Sequence, residues 1–221
     1  KKAKEKGVRI DRDDLVQLGR DVELFPGVAE WFDEIATYVA LRAESQGVVV
    51  RHYLVSSGLT EIIEGTAIYP RFHKVFASEY WFEAYDLPYP KRVITDTGKT
   101  QYLFRINKGI EDLGESINQH MPEDERPIPF SNMVYFGDGE TDVPSMALMR
   151  KSGGHAVAVH TAGKARSKCV DLFRAGRVDF FAVADYRRGS ELFKRTCLLI
   201  DRMLADIRIR EEMWKLGRAI K

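Results

Sequence analysis

The clearest chemical signal in the chain is a pair of acids on a glycine-rich turn, Gly137-Asp138-Gly139-Glu140-Thr141-Asp142. The turn follows an apolar run, 133–136, which is short enough to be a buried strand of a parallel sheet. Carboxylates at the end of such a strand suit Mg²⁺, which takes one or two of them together with waters and phosphate oxygens. The sequence therefore predicts that Asp138 and Asp142 bind Mg²⁺. The competing interpretation is an ordinary Asp-Gly turn with a capping aspartate.

A second polar group, Ser56-Ser57-Gly58, follows the strand predicted at 51–55 and precedes a predicted helix. A hydroxyl together with free N–H groups at a helix start offers a binding site for phosphate. The same residues are also explained by an ordinary serine N-cap, and the sequence leaves both interpretations open.

A lysine is the third candidate. Lys99 begins a predicted helix after Asp96-Thr97-Gly98, where its positive charge opposes the helix dipole. Such a misfit indicates that the ammonium serves another partner, such as a phosphate oxygen. A plain surface lysine is the alternative, and Lys108, at the end of the same helix, is a rival for the role.

The elements that must position these residues alternate along the chain. Strands are predicted at 51–55, 74–77, 133–136, 155–159 and 178–182, with helices between them and a long amphipathic helix from Ser190 onward. This alternation predicts an α/β fold with a doubly wound parallel sheet. One apolar stripe of the last helix predicts core packing; it comprises Phe193, Cys197, Ile200, Leu204 and Ile207.

The segment 79–97 carries closely spaced aromatic residues and two prolines, which predict an extended flap or hairpin. Its aromatic residues either close over a ligand or form a second small core; they are Tyr80, Trp81, Phe82 and Tyr85.

The composition narrows the functional classes. The chain has 221 residues, 44% of them hydrophobic and 30% charged, which is ordinary for a soluble globular protein. Its net charge of +1 argues against a nucleic-acid partner. The sequence shows no apolar run of membrane-spanning length and no signal-peptide pattern, and its two cysteines, Cys169 and Cys197, lack metal-site spacing. We therefore expect a cytoplasmic protein without a membrane partner.

Taken in order, these groups resemble a known family. Val55-Ser56-Ser57-Gly58, Lys99 and 136–142 resemble the second, third and fourth motifs of the haloacid dehalogenase-like hydrolases, in their phosphatase branch. The fourth motif is the specific one, and the resemblance extends over roughly 23–185. Leu24-Phe25-Pro26-Gly27-Val28 is similar to the segment where such chains return from a cap to the core. The resemblance implies a helical cap remnant at 1–22 and a Rossmann-like core with a C-terminal helix at 23–221.

The resemblance also implies an activity, Mg²⁺-dependent hydrolysis of a phosphorylated small molecule through an aspartyl-phosphate. Ser56, Ser57 and Gly58 would hold the phosphate, and Lys99 would screen its charge. Asp138 would hold Mg²⁺, and Asp142 would bind the ion or orient its water. Ser56, Lys99 and Asp142 would thus be the catalytic residues present. The alternative is a non-catalytic relative that binds a phosphorylated ligand or a partner protein.

The family's first motif, an Asp-x-Asp-x-Thr after an apolar strand, is missing from the chain. The only candidate spacing is Asp11-Arg12-Asp13, which lies in charged helical sequence and is not expected to supply the nucleophile. In the family this motif precedes the return segment. We therefore expect the natural protein to be longer, with its nucleophile ahead of Lys1. A sheet without that strand is expected to leave two unpaired inner edges.

Overall fold

The computed structural model describes residues 11–43, 47–82, 89–162 and 166–220. Within these ranges seven α-helices and six strands alternate, joined by short 3₁₀ turns. The helices are α1 (Arg12–Arg20), α2 (Val28–Arg42), α3 (Thr60–Glu64), α4 (Lys99–Lys108), α5 (Val143–Lys151), α6 (Arg166–Arg174) and α7 (Glu191–Ala219). The strands are β1 (Tyr53–Leu59), β2 (Lys74–Trp81), β3 (Tyr89–Arg92), β4 (Val134–Gly137), β5 (His155–His160) and β6 (Phe180–Val183).

The strands form two three-stranded sheets, with the orders β1-β2-β3 and β4-β5-β6. All neighbouring strands are parallel except β3, which runs antiparallel to β2. The predicted α/β class with parallel strands is therefore confirmed. Within the described ranges no register pairs β1 with β4, so each of these strands is an unpaired edge of its own sheet.

Helices cover both faces of the second sheet, as the alternation of side chains along β5 shows. Val157 and Val159 point into a cluster formed with α2 and α7. Ala156 and Ala158, which alternate with them, point into the opposite cluster, which includes buried residues of α4, α5 and α6. Because β5 is buried at every position, the sheet is the middle of three layers.

Helix α2 contacts both sheets. The ring of Trp31 lies edge-on to Phe136 of β4, with 5.8 Å between ring centroids. The next residue, Phe32, lies 4.8 Å from the ring of His52, immediately before β1. Helix α2 therefore joins the two sheets across one face.

Helix α4 also contacts both sheets, on the face opposite to α2. Tyr102 packs against Phe76 of β2, with 4.9 Å between ring centroids, and Leu103 belongs to the cluster beneath β5. Met133, just before β4, packs against this cluster and also against the cluster that contains Phe76 and Tyr102. Helices α2 and α4 therefore hold the two sheets side by side.

Helix α1 lies within the predicted cap remnant and packs against α3 through two glycines. A Cβ placed on Gly19 would lie 2.0 Å from the carbonyl oxygen of Ile62, and one on Gly65 would lie 1.9 Å from that of Val16. Only glycine allows this separation of the two backbones. The division of the chain at residue 22 stays a prediction.

Two further predictions concern the flap and the last helix. Strands β2 and β3 form the predicted hairpin, and Tyr80 contacts Phe82 at 6.2 Å between rings; Tyr85 lies outside the described residues. The predicted stripe of α7 is buried as far as Leu204, which confirms its core packing. Among the described helices none has the length and apolarity needed to cross a membrane.

Candidate functional site

The centre of the site is the buried carboxylate of Asp142, a residue that as a whole is only 5% exposed. Its Oδ1 lies 2.7 Å from Lys99 Nζ and accepts a hydrogen bond of 2.6 Å from the Tyr135 hydroxyl. Its Oδ2 accepts the backbone N–H groups of Asp138 and Gly139, at 3.1 and 3.3 Å. These four donors fill the accepting capacity of a carboxylate. We call Lys99, Tyr135, Asp142 and the two N–H groups the Asp142 network.

Lys99 reaches this network from the first residue of α4, as its unfavourable position at a helix start predicted. Its ammonium is bound by a carboxylate, whereas the sequence predicted a phosphate oxygen. Its Nζ also lies 3.2 Å from Thr141 Oγ1, on the same turn as Asp142. Lys108 lies at the far end of α4 and donates to the carbonyl oxygens of Ile117 and Gln119, at 2.7 Å each. The structure therefore brings Lys99, and not Lys108, to the acids.

Asp138 stands on the same turn but differs from Asp142 in every contact. Its side chain is exposed, and within the described residues no hydrogen bond or ion pair reaches its carboxylate. Its charge acts on two tyrosines nearby. Burial, with the charge of Asp138 added, raises the pKa of Tyr186 to about 12. Burial and the Asp142 charge, with a smaller contribution from Asp138, raise the pKa of Tyr135 above its ordinary value.

Ser56, Ser57 and Gly58 lie within β1, because the strand extends to Leu59. The prediction that the strand ends at residue 55 is wrong, since its pairing with β2 continues through a bulge between Val55 and Leu59. The N-cap of α3 is Leu59, so the serine N-cap interpretation is wrong as well. Instead, Ser56 Oγ accepts the N–H of Gly58 at 3.0 Å. Among the described residues, these three make no hydrogen bond to the Asp142 network.

Of the two acids predicted to bind Mg²⁺, only Asp138 suits the ion without giving up contacts that it already makes. Asp138 offers an exposed carboxylate that has no partner among the described residues, and Mg²⁺ is commonly held by one or two such carboxylates together with waters and phosphate oxygens. Asp142 would have to release Lys99 or Tyr135 before binding an ion directly. No group of three or more histidine, cysteine or acidic side chains that could hold a metal is present in the described part of the chain.

Asp11, in the only segment with the spacing of the missing first motif, has a structural role. Asp11 is the N-cap of α1, where its Oδ1 accepts the N–H of Asp14 at 2.9 Å. The Asp14 side chain accepts the N–H of Asp11 in return, at 3.1 Å, which completes a capping box. Asp11 and Asp14 therefore cap the start of α1, in agreement with the expectation that this segment is helical.

Tyr135 is the residue of the site that sequence reasoning missed. It lies in the middle of an apolar strand, where a tyrosine resembles an ordinary core residue. The usable signal is that a buried tyrosine hydroxyl needs a hydrogen-bond partner. The nearest candidate acceptors along the chain are the acids of the following turn.

We expect Tyr135→Phe to lower the free energy of unfolding by about 2 kcal/mol, because it leaves Asp142 Oδ1 with one donor fewer. Urea denaturation followed by circular dichroism measures the change. Tyr102→Phe is the control, since Tyr102 is buried more deeply than Tyr135 but its hydroxyl has no hydrogen bond among the described residues. A loss for Tyr135→Phe no larger than that for Tyr102→Phe would show that the hydroxyl contributes nothing.

Comparison with known proteins identifies a relative of this chain. The chain is 32% identical, over 211 residues, to an uncharacterized protein of Borreliella burgdorferi, and the match covers 86% of this chain and 73% of that protein. No family model matches the chain, and no solved structure does. On this identity and coverage, the chain belongs to the same family as that uncharacterized Borreliella burgdorferi protein.

Proposed function

We propose that the chain forms most of a Mg²⁺-dependent phosphomonoester hydrolase of the haloacid dehalogenase-like type, cytoplasmic and acting on a phosphorylated small molecule. The observation that carries the proposal is the 2.7 Å contact between Lys99 and Asp142, 43 residues apart, next to the exposed carboxylate of Asp138. It supports a common site for the third and fourth motifs of the resemblance. A cation beside a free carboxylate at the end of a parallel strand suits binding of Mg²⁺ and phosphate.

The proposed fold is a single doubly wound sheet that lacks its middle strand. Its support is that β1 and β4 are both unpaired edges within the described residues, and that α2 contacts both sheets. A parallel strand placed between the two edges would pair with both. In the proposal this strand carries the first motif, and its carboxyl end brings the nucleophilic aspartate between Ser56 and Asp138.

Each residue present then has a physical role. When bound, Mg²⁺ neutralises charge on the transferring phosphoryl group. Asp138 offers the carboxylate that holds the ion. Lys99 provides a fixed ammonium for a phosphate oxygen, and the Ser56 hydroxyl and the Ser57 N–H hold the others. Asp142, as placed here, orients the Lys99 ammonium and fixes the turn through the N–H groups of Asp138 and Gly139.

A second function, binding of a phosphorylated ligand without hydrolysis, is favoured by one observation. The 221 residues contain no Asp-x-Asp-x-Thr after an apolar strand, and Asp11 is occupied as a helix cap. Both functions need the same anion site, and they differ only in the nucleophile.

The metal assignment is tested by Mg²⁺ titration calorimetry on the parent and on Asp138→Asn. We expect the variant to bind Mg²⁺ about tenfold more weakly or worse, because an amide lacks the negative charge. Glu140→Gln is the matched control, an exposed acid on the same turn whose carboxylate is paired with Lys168. Its affinity should stay at the parent's value. Equal affinities for Asp138→Asn and the parent would remove Asp138 from the metal site.

A further inference from the structure

The last part of α7 carries a stripe of exposed large apolar side chains. Ile209 is 57% exposed, Met213 67%, Leu216 63% and Ile220, the C-cap residue, 85%. The helix is held by the rest of the protein as far as Arg210, whose side chain donates to Asn132 Oδ1 at 2.8 Å. Residues 212–220 are all exposed. We call these four apolar residues the α7 stripe.

The spacing of the α7 stripe is that of a coiled-coil seam. Its members are separated by four, three and four residues, which places them on one narrow line along the helix. The positions beside the line include two small residues, Gly217 and Ala219, which allow a second helix to approach closely. A narrow seam with small flanking residues fits one partner helix.

We propose that the α7 stripe pairs with the same stripe of a second copy of this chain, in antiparallel orientation. In this arrangement Ile209 packs against Ile220 of the second copy and Met213 against Leu216, so every residue of the stripe meets another apolar residue. Trp214, which is 62% exposed, lies off the seam. The contact is symmetric, as a two-fold dimer requires. The inference is independent of the proposed phosphatase activity.

The orientation follows from the shape of the protein. The part of the helix that projects past Arg210 is about ten residues long, or about 15 Å at the rise of an α-helix. A parallel pair would bring both protein bodies to the same end of two helices only ~10 Å apart, where they would collide. An antiparallel pair places the bodies at opposite ends.

The charges on the rest of the helix argue against a membrane surface as the partner. Helices that bind anionic membranes carry mainly lysine and arginine on their polar face. Here Glu211 and Glu212 share that face with Lys215 and Arg218, and Glu212 is paired with Lys215 at 2.6 Å. In the antiparallel pair Arg210 lies across from Gly217 and Glu212 across from Ala219, so like charges do not meet.

The surface area buried in the contact sets the expected affinity of the dimer. Burying four such side chains on each copy removes on the order of 1,000 Å² of surface from water, at the small end of specific interfaces. We therefore expect a weak dimer with an affinity in the micromolar range.

Sedimentation velocity of the full chain over a concentration series tests the proposal. The parent should shift from monomer to dimer as concentration rises. Met213→Glu should raise the dissociation constant by about tenfold or more, because it places a charge in the seam. Leu198→Glu is the matched control, because Leu198 is 60% exposed on the same helix but lies 11 residues before Ile209, outside the segment that forms the seam. It should keep the parent's dissociation constant.

Disulfide cross-linking tests the orientation. A mixture of the Met213→Cys and Leu216→Cys variants should form cross-linked heterodimers, whereas each variant alone should not. Self-cross-linking of Met213→Cys at the same rate would overturn the antiparallel arrangement. A monomer at every concentration would overturn the dimer, and so would equal effects of Met213→Glu and Leu198→Glu. A monomer that binds vesicles of anionic phospholipid, and loses this binding in Met213→Glu, would assign the stripe to membranes instead.

Discussion

Replacing Asp142 with alanine is expected to lower the free energy of unfolding by about 3–5 kcal/mol, because it leaves a buried charge without a partner. Lys99 Nζ lies 2.7 Å from Asp142 Oδ1, and both side chains are only 7% exposed. The same substitution leaves the Tyr135 hydroxyl and two backbone N–H groups without an acceptor. Urea denaturation followed by circular dichroism measures the loss.

Asp201→Ala is the matched control for this experiment. Asp201 also accepts a tyrosine hydroxyl, that of Tyr38, and pairs with a basic side chain, Arg42 at 3.1 Å, but it is 45% exposed. Its removal should cost about 1 kcal/mol or less, since water solvates the groups left behind. Adding Lys99→Met to Asp142→Ala should cost less than the sum of the two single losses. Equal losses for Asp142→Ala and Asp201→Ala would contradict the importance of burial.

The second large effect concerns activity. Joining an apolar strand that ends in Asp-x-Asp-x-Thr ahead of the chain should raise hydrolysis of an aryl phosphate with Mg²⁺ by several orders of magnitude. Removing a nucleophile from well-studied hydrolases costs on the order of 10⁶ in turnover and leaves ~10³–10⁴ over water from binding and electrostatics. The chain without this strand is therefore expected to show at most that residual rate.

Two controls separate the possible outcomes. The extended chain with the first Asp of its added motif changed to Asn should return to the residual rate. Turnover that is equal in both chain lengths and lost in Asp11→Asn would make Asp11 the nucleophile and contradict its role as a helix cap. An extended chain that binds Mg²⁺ and phosphate without turnover would favour the binding function.

The sequence predicted most elements because buried strands and amphipathic helices leave local patterns. Helix α4 was predicted with both ends correct, since Gly98 and Gly109 mark them. The end of β1 was wrong because Ser56-Ser57-Gly58 looks like a strand end. Only the pairing with β2, through a bulge, shows that the strand continues.

The site was less predictable than the fold because its contacts join distant parts of the chain. The sequence placed Lys99 at a helix start and Asp142 on a glycine-rich turn, but no local pattern says that they bind each other. Four donors on Asp142 make it a buried structural carboxylate, whereas Asp138 remains open. Two acids of one motif thus differ in role through partners that only the fold supplies.

The division into two sheets has a consequence for how the protein folds and unfolds. Each sheet is built from one continuous stretch, 53–92 for the first and 134–183 for the second. Pairing within such short stretches closes small loops, so each sheet can form early and on its own. We therefore expect the stretches to behave as two cooperative units, which are uncoupled only when α2 and α4, the two helices that reach both sheets, open locally.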